Sequence, residues 1–358
     1  MPNNGIKSLK QDVRMDLKLK NNNKMLIEEE DNNQENYSNI DYVNQYIQAE
    51  GPKDLKKFTV VELIGKGGES SVYKIKYIET NKFFCLKIMK KKKKERINYP
   101  EFYISKKIKH KNLINLLSYH ADPNKEYDYM ITELGKSNIS HFMKKILKKS
   151  ILSETFLCFI AYQTLQGLNY LHMYKIAHLD IKPQNLVITE TLEIKIIDFS
   201  VSIDYSKING EEVKIGYVGT NYFMSPEILQ RKKVKKKDLN KIDMFSLGVT
   251  LYVLGFGRFP FDINPGDNDE LMIEKINSGW RVENIKNYFS KHFIDLLNGL
   301  LEVDINKRMN IEQALNSYFI QGAPLLLNEK ENTYNAFSFL SYLITDHIRS
   351  FQEYLAKQ

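Results

Sequence analysis

The chain has 358 residues, 52 Lys and Arg against 44 Asp and Glu, and only two cysteines. That length allows two domains or one large domain with tails, and 42% hydrophobic with 27% charged residues is the balance of a globular protein with a core. Cys85 and Cys158 are too few for a disulfide scaffold, and no apolar run approaches the roughly 18 residues of a membrane helix.

The net charge is +8, and it is unevenly placed. Up to Lys57 there are 9 basic and 10 acidic residues, so the body carries the excess. Much of it sits in two runs, Lys90–Lys94 and Arg231–Lys237. A basic body admits nucleic acid, acidic lipid, phosphate ligands or acidic substrates. Met1–Lys20 lacks the apolar core of a secretory signal, and the expected location is cytoplasmic, with nuclear entry open.

Residues 1–57 read as a polar, partly disordered tail rich in Asn and Lys. Ile6, Leu9, Val13 and Leu17 recur at helical spacing within it, and Ile40, Val43 and Ile47 predict a short helix that packs on the body. From Phe58 the pattern becomes β-rich. Phe58–Ile64, Ser71–Ile78 and Phe83–Met89 predict three consecutive antiparallel strands. Pro100–Ile108 predicts a helix, and Leu113–His120 and Tyr127–Leu134 two more strands. Helical patterns then dominate: Ile139–Leu147, Glu154–Met173, Leu239–Phe256, Asp269–Ser278, Ser290–Leu301 and Ile311–Tyr318. Strands first and helices after predict an α+β fold in two lobes. Thr333–Lys357 carries one apolar helical stripe, expected to dock on the body as a C-terminal extension over residues 321–358.

Gly65-Lys66-Gly67-Gly68-Glu69-Ser70-Ser71-Val72 lies between the first two predicted strands. Glycines let backbone amides approach phosphate oxygens, but a strand follows here instead of the helix that a dinucleotide or P-loop site needs. Lys87 sits among apolar neighbours on the third strand and needs a partner if buried, and Glu101 on the next helix is a plausible one. His178-Leu179-Asp180-Ile181-Lys182-Pro183-Gln184-Asn185 follows a long helix, and Asp198-Phe199-Ser200 comes 13 residues after Asn185. A carboxylate in a turn can orient a hydroxyl nucleophile, a second carboxylate with an amide oxygen suits Mg²⁺, and a lysine suits a transferring phosphoryl group.

In these residues the sequence resembles the eukaryotic protein kinase family, serine/threonine type, over residues 58–320. The motifs occur in the family's order, and Gly219-Thr220-Asn221-Tyr222-Phe223-Met224-Ser225-Pro226-Glu227, Asp243-Met244-Phe245-Ser246-Leu247-Gly248 and Arg308 extend the likeness. The activation segment is also similar to that of MAP-kinase kinases, and the subfamily stays open.

The resemblance implies a small β-rich lobe over about 58–133, a helical lobe over about 136–320, and ATP with Mg²⁺. Ile64, Gly65, Lys66, Gly67, Gly68 and Val72 would cover the phosphates and the base. Lys87, held by Glu101, would touch the α- and β-phosphates. Cys85 and Val187 would flank the adenine, with Thr132 as gatekeeper and Glu133 and Gly135 in the hinge. Asp180 would orient the acceptor hydroxyl and take its proton, Lys182 would stabilise the γ-phosphoryl, and Asn185 and Asp198 would hold Mg²⁺. The implied partners are protein substrates with Ser/Thr acceptors. Nucleic acid and membranes are not expected as partners, and both lysine runs read as solvated surface.

Four departures stand out. Leu179 replaces the arginine that receives an activation-loop phosphate, so activity is expected not to depend strongly on phosphorylation of Ser202, Tyr205, Ser206 or Tyr217. Ser200 replaces the glycine after Asp198-Phe199. Gln184 replaces a glutamate that many Arg-directed kinases carry. Ser105 stands one turn past Glu101, where the family has an apolar residue. Leu179 and Ser200 leave a second reading open, a pseudokinase scaffold that binds nucleotide without efficient transfer.

Overall fold

The protein is described from a computed structural model over residues 33–66, 70–91, 100–121, 126–145, 151–280 and 289–323. The Ile6–Leu17 and Thr333–Lys357 stripes, Gly67, Gly68 and Lys92–Lys94 lie outside the described residues.

Helix α1 (Asn33–Glu50) is the first described element. It buries Val43 and Ile47 against the β-rich lobe, as the spacing of Ile40, Val43 and Ile47 predicts. Its Asn44 side chain accepts from Val60 N at 2.8 Å and donates to Val60 O at 3.1 Å. That amide covers backbone groups of strand β1 (Phe58–Lys66), an edge strand whose free ladder would otherwise be exposed. Strands β2 (Ser70–Tyr77) and β3 (Phe83–Lys90) follow antiparallel, as the β-rich runs predict. Helix α2 (Pro100–Lys107) crosses to β4 (Leu116–His120) and β5 (Tyr127–Glu133), completing a sheet in the order β1-β2-β3-β5-β4.

The predicted strand Leu113–His120 starts three residues late. Ile114 N donates to Ile196 O, Ile196 N donates to Asn112 O, and the Asn112 amide reaches Gln163 and Ile194 O. The backbone there is already committed to the second lobe, so it cannot join the first lobe's sheet. Ile104 of α2 likewise packs into the second lobe's core.

The second lobe begins with β6 (Ser137–Asn138), α3 (Ile139–Lys145) and the long α4 (Glu154–Met173), whose N-cap Ser153 accepts from Phe156 N. Short strands β7 (Ile176–Ala177), β8 (Leu186–Ile188), β9 (Ile194–Ile196) and β10 (Ile203–Asp204) carry the loops of the cleft. Strand β11 (Glu212–Lys214), helix α5 (Pro226–Leu229) and strand β12 (Lys233–Lys235) lead to α6 (Asn240–Phe256), which is buried along nearly its whole length. Helices α7 (Asp269–Asn277), α8 (Lys291–Leu300), α9 (Ile311–Leu315) and α10 (Tyr318–Gln321) finish the described chain. The single helix expected over Ile311–Tyr318 is split, because Ser317 takes an extended backbone and starts a new turn. Among the described residues no helix is long and apolar enough to cross a membrane.

Candidate active site

The cleft lies between the five-stranded sheet and the loops around β7–β9. On the sheet side, β3 aligns Lys87 with Val72 of β2 and Cys85 with Thr132 of β5. Gly65 is paired with Val72, and Ile64 and Lys66 are exposed beside it. Lys87 Nζ stands 2.6 Å from Glu101 Oε2 and 3.1 Å from Asp198 Oδ1. Burial pushes the Glu101 carboxyl up, partly offset by Lys87. Burial would lower the Lys87 ammonium, but the two carboxylates raise it above the usual lysine value. Burial would likewise raise Asp198, yet Lys87 and a hydrogen bond from Ser200 hold it down at about 2. Asp198 is therefore ionised at neutral pH while its side chain stays about 36% exposed.

The wall formed by Cys85, Val187 and Gly135 is equally defined. Burial pushes the Cys85 thiol up to about 11, so it is a neutral, unreactive lining group. A Cβ on Gly135 would come within 2.7 Å of Val187, so only glycine lets the hinge lie this close to β8. Glu133 turns its carboxylate away to Asn115 N (2.7 Å) and Lys195 Nζ (3.1 Å). That tie joins residues 62 positions apart on β5 and β9, and no local pattern announces it.

On the opposite side, four side chains form one network. Asp180 Oδ2 accepts from Asn185 Nδ2 at 2.8 Å and lies 2.8 Å from Lys182 Nζ. Asp180 Oδ1 accepts from Thr220 Oγ1 at 2.8 Å, and Lys182 donates to the same Thr220 oxygen at 2.6 Å. Thr220 thus joins the predicted set Asp180, Lys182 and Asn185. It reaches them because Gly219 runs at φ +99°, where an added Cβ would sit 2.5 Å from Leu179 O.

Two non-glycine residues of the cleft are left-handed, Leu179 at φ 67° and Asp198 at φ 66°. Such conformations cost about 1–2 kcal/mol each and persist only where neighbours enforce them. Asp243, on the first turn of α6, enforces the first by accepting from His178 N (2.9 Å), Leu179 N (2.8 Å) and His172 Nε2 (2.9 Å). Leu179 itself is buried in the apolar core. The sequence marked Asp243 only as part of a motif, and its hold on the loop is a tertiary fact.

The donor set fits a nucleotide phosphate with a hard cation. Asp198 offers an ionised, accessible carboxylate, and Asn185, bonded through its Nδ2, keeps an amide oxygen. Among the described residues no group of three or more His, Cys, Asp or Glu could hold a metal. One carboxylate plus one amide oxygen matches Mg²⁺, which keeps waters and shares phosphate oxygens.

A small β lobe with a lysine–glutamate pair, set over a helical lobe whose loops present Asp180, Lys182, Asn185 and Asp198, is the architecture of a protein kinase. The match to the protein kinase domain covers residues 58–320, and the chain belongs to that family. A probable serine/threonine-protein kinase of Dictyostelium discoideum is 30% identical over 267 residues, 73% of this chain and 55% of its own. The serine/threonine-protein kinase stk11 homolog of the same organism is 29% identical over 271 residues, 74% of this chain and 45% of its own. Its probable serine/threonine-protein kinase fhkD is 30% identical over 317 residues, 80% of this chain and 40% of its own. The chain therefore spans about half the length of these relatives. Family membership implies the use of ATP.

Proposed function

We propose that this chain is a serine/threonine protein kinase that transfers the γ-phosphoryl of Mg-ATP to a protein hydroxyl. The observation that carries the reading is the Asp180 network, in which one carboxylate oxygen already accepts a hydroxyl proton donor, Thr220, while a lysine stands 2.8 Å from the other. An incoming Ser or Thr hydroxyl takes the same donor role toward Asp180. Its oxygen bonds to the γ-phosphorus, the bond to the β–γ bridging oxygen breaks, and the proton passes to Asp180. Lys182 balances the charge that builds on the transferring oxygens, and Lys87, fixed by Glu101, holds the phosphates behind them. Asn185 and Asp198 are the side chains that would hold Mg²⁺, which when bound neutralises phosphate charge. Positioning and charge supply most of the rate, with a base of this kind worth about 10²–10⁴-fold.

The neutral Cys85 thiol, Val72, Val187 and the close-packed Gly135 shape the wall for the base. Residues 58–320 form the catalytic unit in this reading. The test is radiolabel transfer from γ-labelled ATP to generic protein substrates by the full chain in Mg²⁺. Transfer on Ser/Thr, abolished by Asp180→Asn with nucleotide binding retained, supports the reading. Nucleotide binding with no transfer by the unaltered chain would replace it with the scaffold alternative.

A further inference from the structure

The Arg231–Lys237 run has no part in the site above. It is not a bare loop. Strand β12 pairs antiparallel with β11 of the activation segment, with Val213 opposite Val234 on the buried face. The same register sets Lys214 directly opposite Lys233 on the exposed face, and Lys235 opposite Glu212. Like charges facing each other across a ribbon are destabilising. Among the described residues, no acid forms an ion pair with Lys214, Lys232, Lys233 or Lys237, all of them exposed. Of the nearby acids, Glu212 faces Lys235, Asp238 is 3.4 Å from Lys241, and Glu211 stands at the end of the ribbon, where its carbonyl accepts from Lys236 N.

The ribbon is also tied to the acceptor end of the site. The Arg231 guanidinium lies 5.2 Å from the centre of the Tyr217 ring, and Asp269 holds both, at 3.3 Å from Arg231 and 2.9 Å from the Tyr217 hydroxyl. Tyr217 is three residues before Thr220, which bonds Asp180.

We propose that the β11–β12 ribbon is a docking surface for an acidic stretch of the protein substrate. This deepens the kinase reading and rests on it. Carboxylates placed over Lys214 and Lys233 relieve a repulsion that the free ribbon keeps. Lys214 is six residues from Thr220, and an extended chain spans about 3.3 Å per residue, so the two lie within about 20 Å. The acidic residues therefore fall within about six positions of the acceptor hydroxyl.

The experiment uses the full chain and two peptides with one acceptor, flanked by Asp and Glu or by Gln and Ser. The expected result is a kcat/KM about tenfold higher for the acidic peptide, carried by KM and shrinking as salt rises past the roughly 8 Å screening length of 0.15 M. Lys214→Gln with Lys232→Gln and Lys233→Gln removes the preference and leaves the neutral peptide unchanged. Fluorescence anisotropy of the acidic peptide on the Asp180→Asn chain reads docking without transfer. Ribbon-dependent binding with no transfer by the unaltered chain would uphold the surface and overturn the kinase reading. Equal kcat/KM for the two peptides would overturn the surface. So would an equal loss on both peptides in the triple variant, or displacement of the acidic peptide by a tighter-binding single-stranded oligonucleotide.

Discussion

His178 and Leu179 give both their backbone amides to one buried carboxylate, whereas residues 198–227 are held by contacts spread along their length. Asp243 is fully buried and takes two consecutive amides of the catalytic loop and a histidine. The activation segment is pinned along its length. Ser202 Oγ donates to His178 O, Asp204 meets Lys107 at 3.0 Å, β11 pairs with β12, Tyr217 meets Asp269, Thr220 meets Asp180, and Glu227 takes Arg308 through two bonds of 3.0 and 2.9 Å. A single buried anchor gives rigidity and fails completely when removed. A series of separate ties gives graded losses, smallest at the exposed Lys107–Asp204 and Tyr217–Asp269 pairs, because an exposed pair contributes only about 0.2–1 kcal/mol.

The largest expected effect follows from the single anchor. Asp243→Ala leaves buried amides without an acceptor, each costing about 1–3 kcal/mol. With a shift of about 2–4 °C per kcal/mol, thermal melting should fall by on the order of 10 °C, and transfer should vanish. Asp243→Asn, which keeps one acceptor oxygen, should lose less, and equal melting for the two variants would break the comparison.

Gly219→Ala should come next. It forces a Cβ against the Leu179 carbonyl and displaces Thr220 from Asp180, so kcat should drop about 10²-fold with little change in melting. Steady-state kinetics with circular dichroism separates the two quantities.

Lys107→Met tests a distributed tie and should lower kcat only a few-fold. Burial would raise the Asp204 carboxyl, but Ser206 and Lys107 hold it below its ordinary value. A depressed carboxyl contributes fully above the unfolded value of about 3.9 and loses its contribution as pH falls through the lower folded value. The variant should therefore flatten the acid limb of stability, read from melting curves between neutral pH and strongly acidic buffer.

The smallest expected effect is that of phosphatase. Leu179 lies in the apolar core and offers no charge, and Ser202 and Tyr205 are themselves buried. Activity of the treated full chain should change less than about twofold. A large drop that maps to Ser206 or Tyr217 would show a phosphate acting as a further pin.

Much of the fold was legible because its patterns are local. Short β-rich runs between polar or Gly-rich turns gave β1–β3, and helical periodicity gave α4 and α6, nearly to the residue. The differences have one cause. Leu113 and Ile114 look like the start of a strand beside β5, but they pair with Ile196 of β9. The basic Lys90–Lys94 run reads as solvated, yet Lys91 pairs with the buried Asp128 at 3.1 Å. Sequence spacing cannot report a partner that arrives from another element.

By itself, the sequence determined the family, the order of lobes and the side chains of the cleft, because phosphoryl transfer demands particular groups at particular turns. Tertiary structure alone decided how those groups are held. Lys87 meets Asp198 across 111 positions, Glu133 turns to Lys195, and a basic run becomes one strand of a ribbon on the activation segment. Those arrangements depend on backbone geometry and on which charges burial brings face to face, and neither is written in local order.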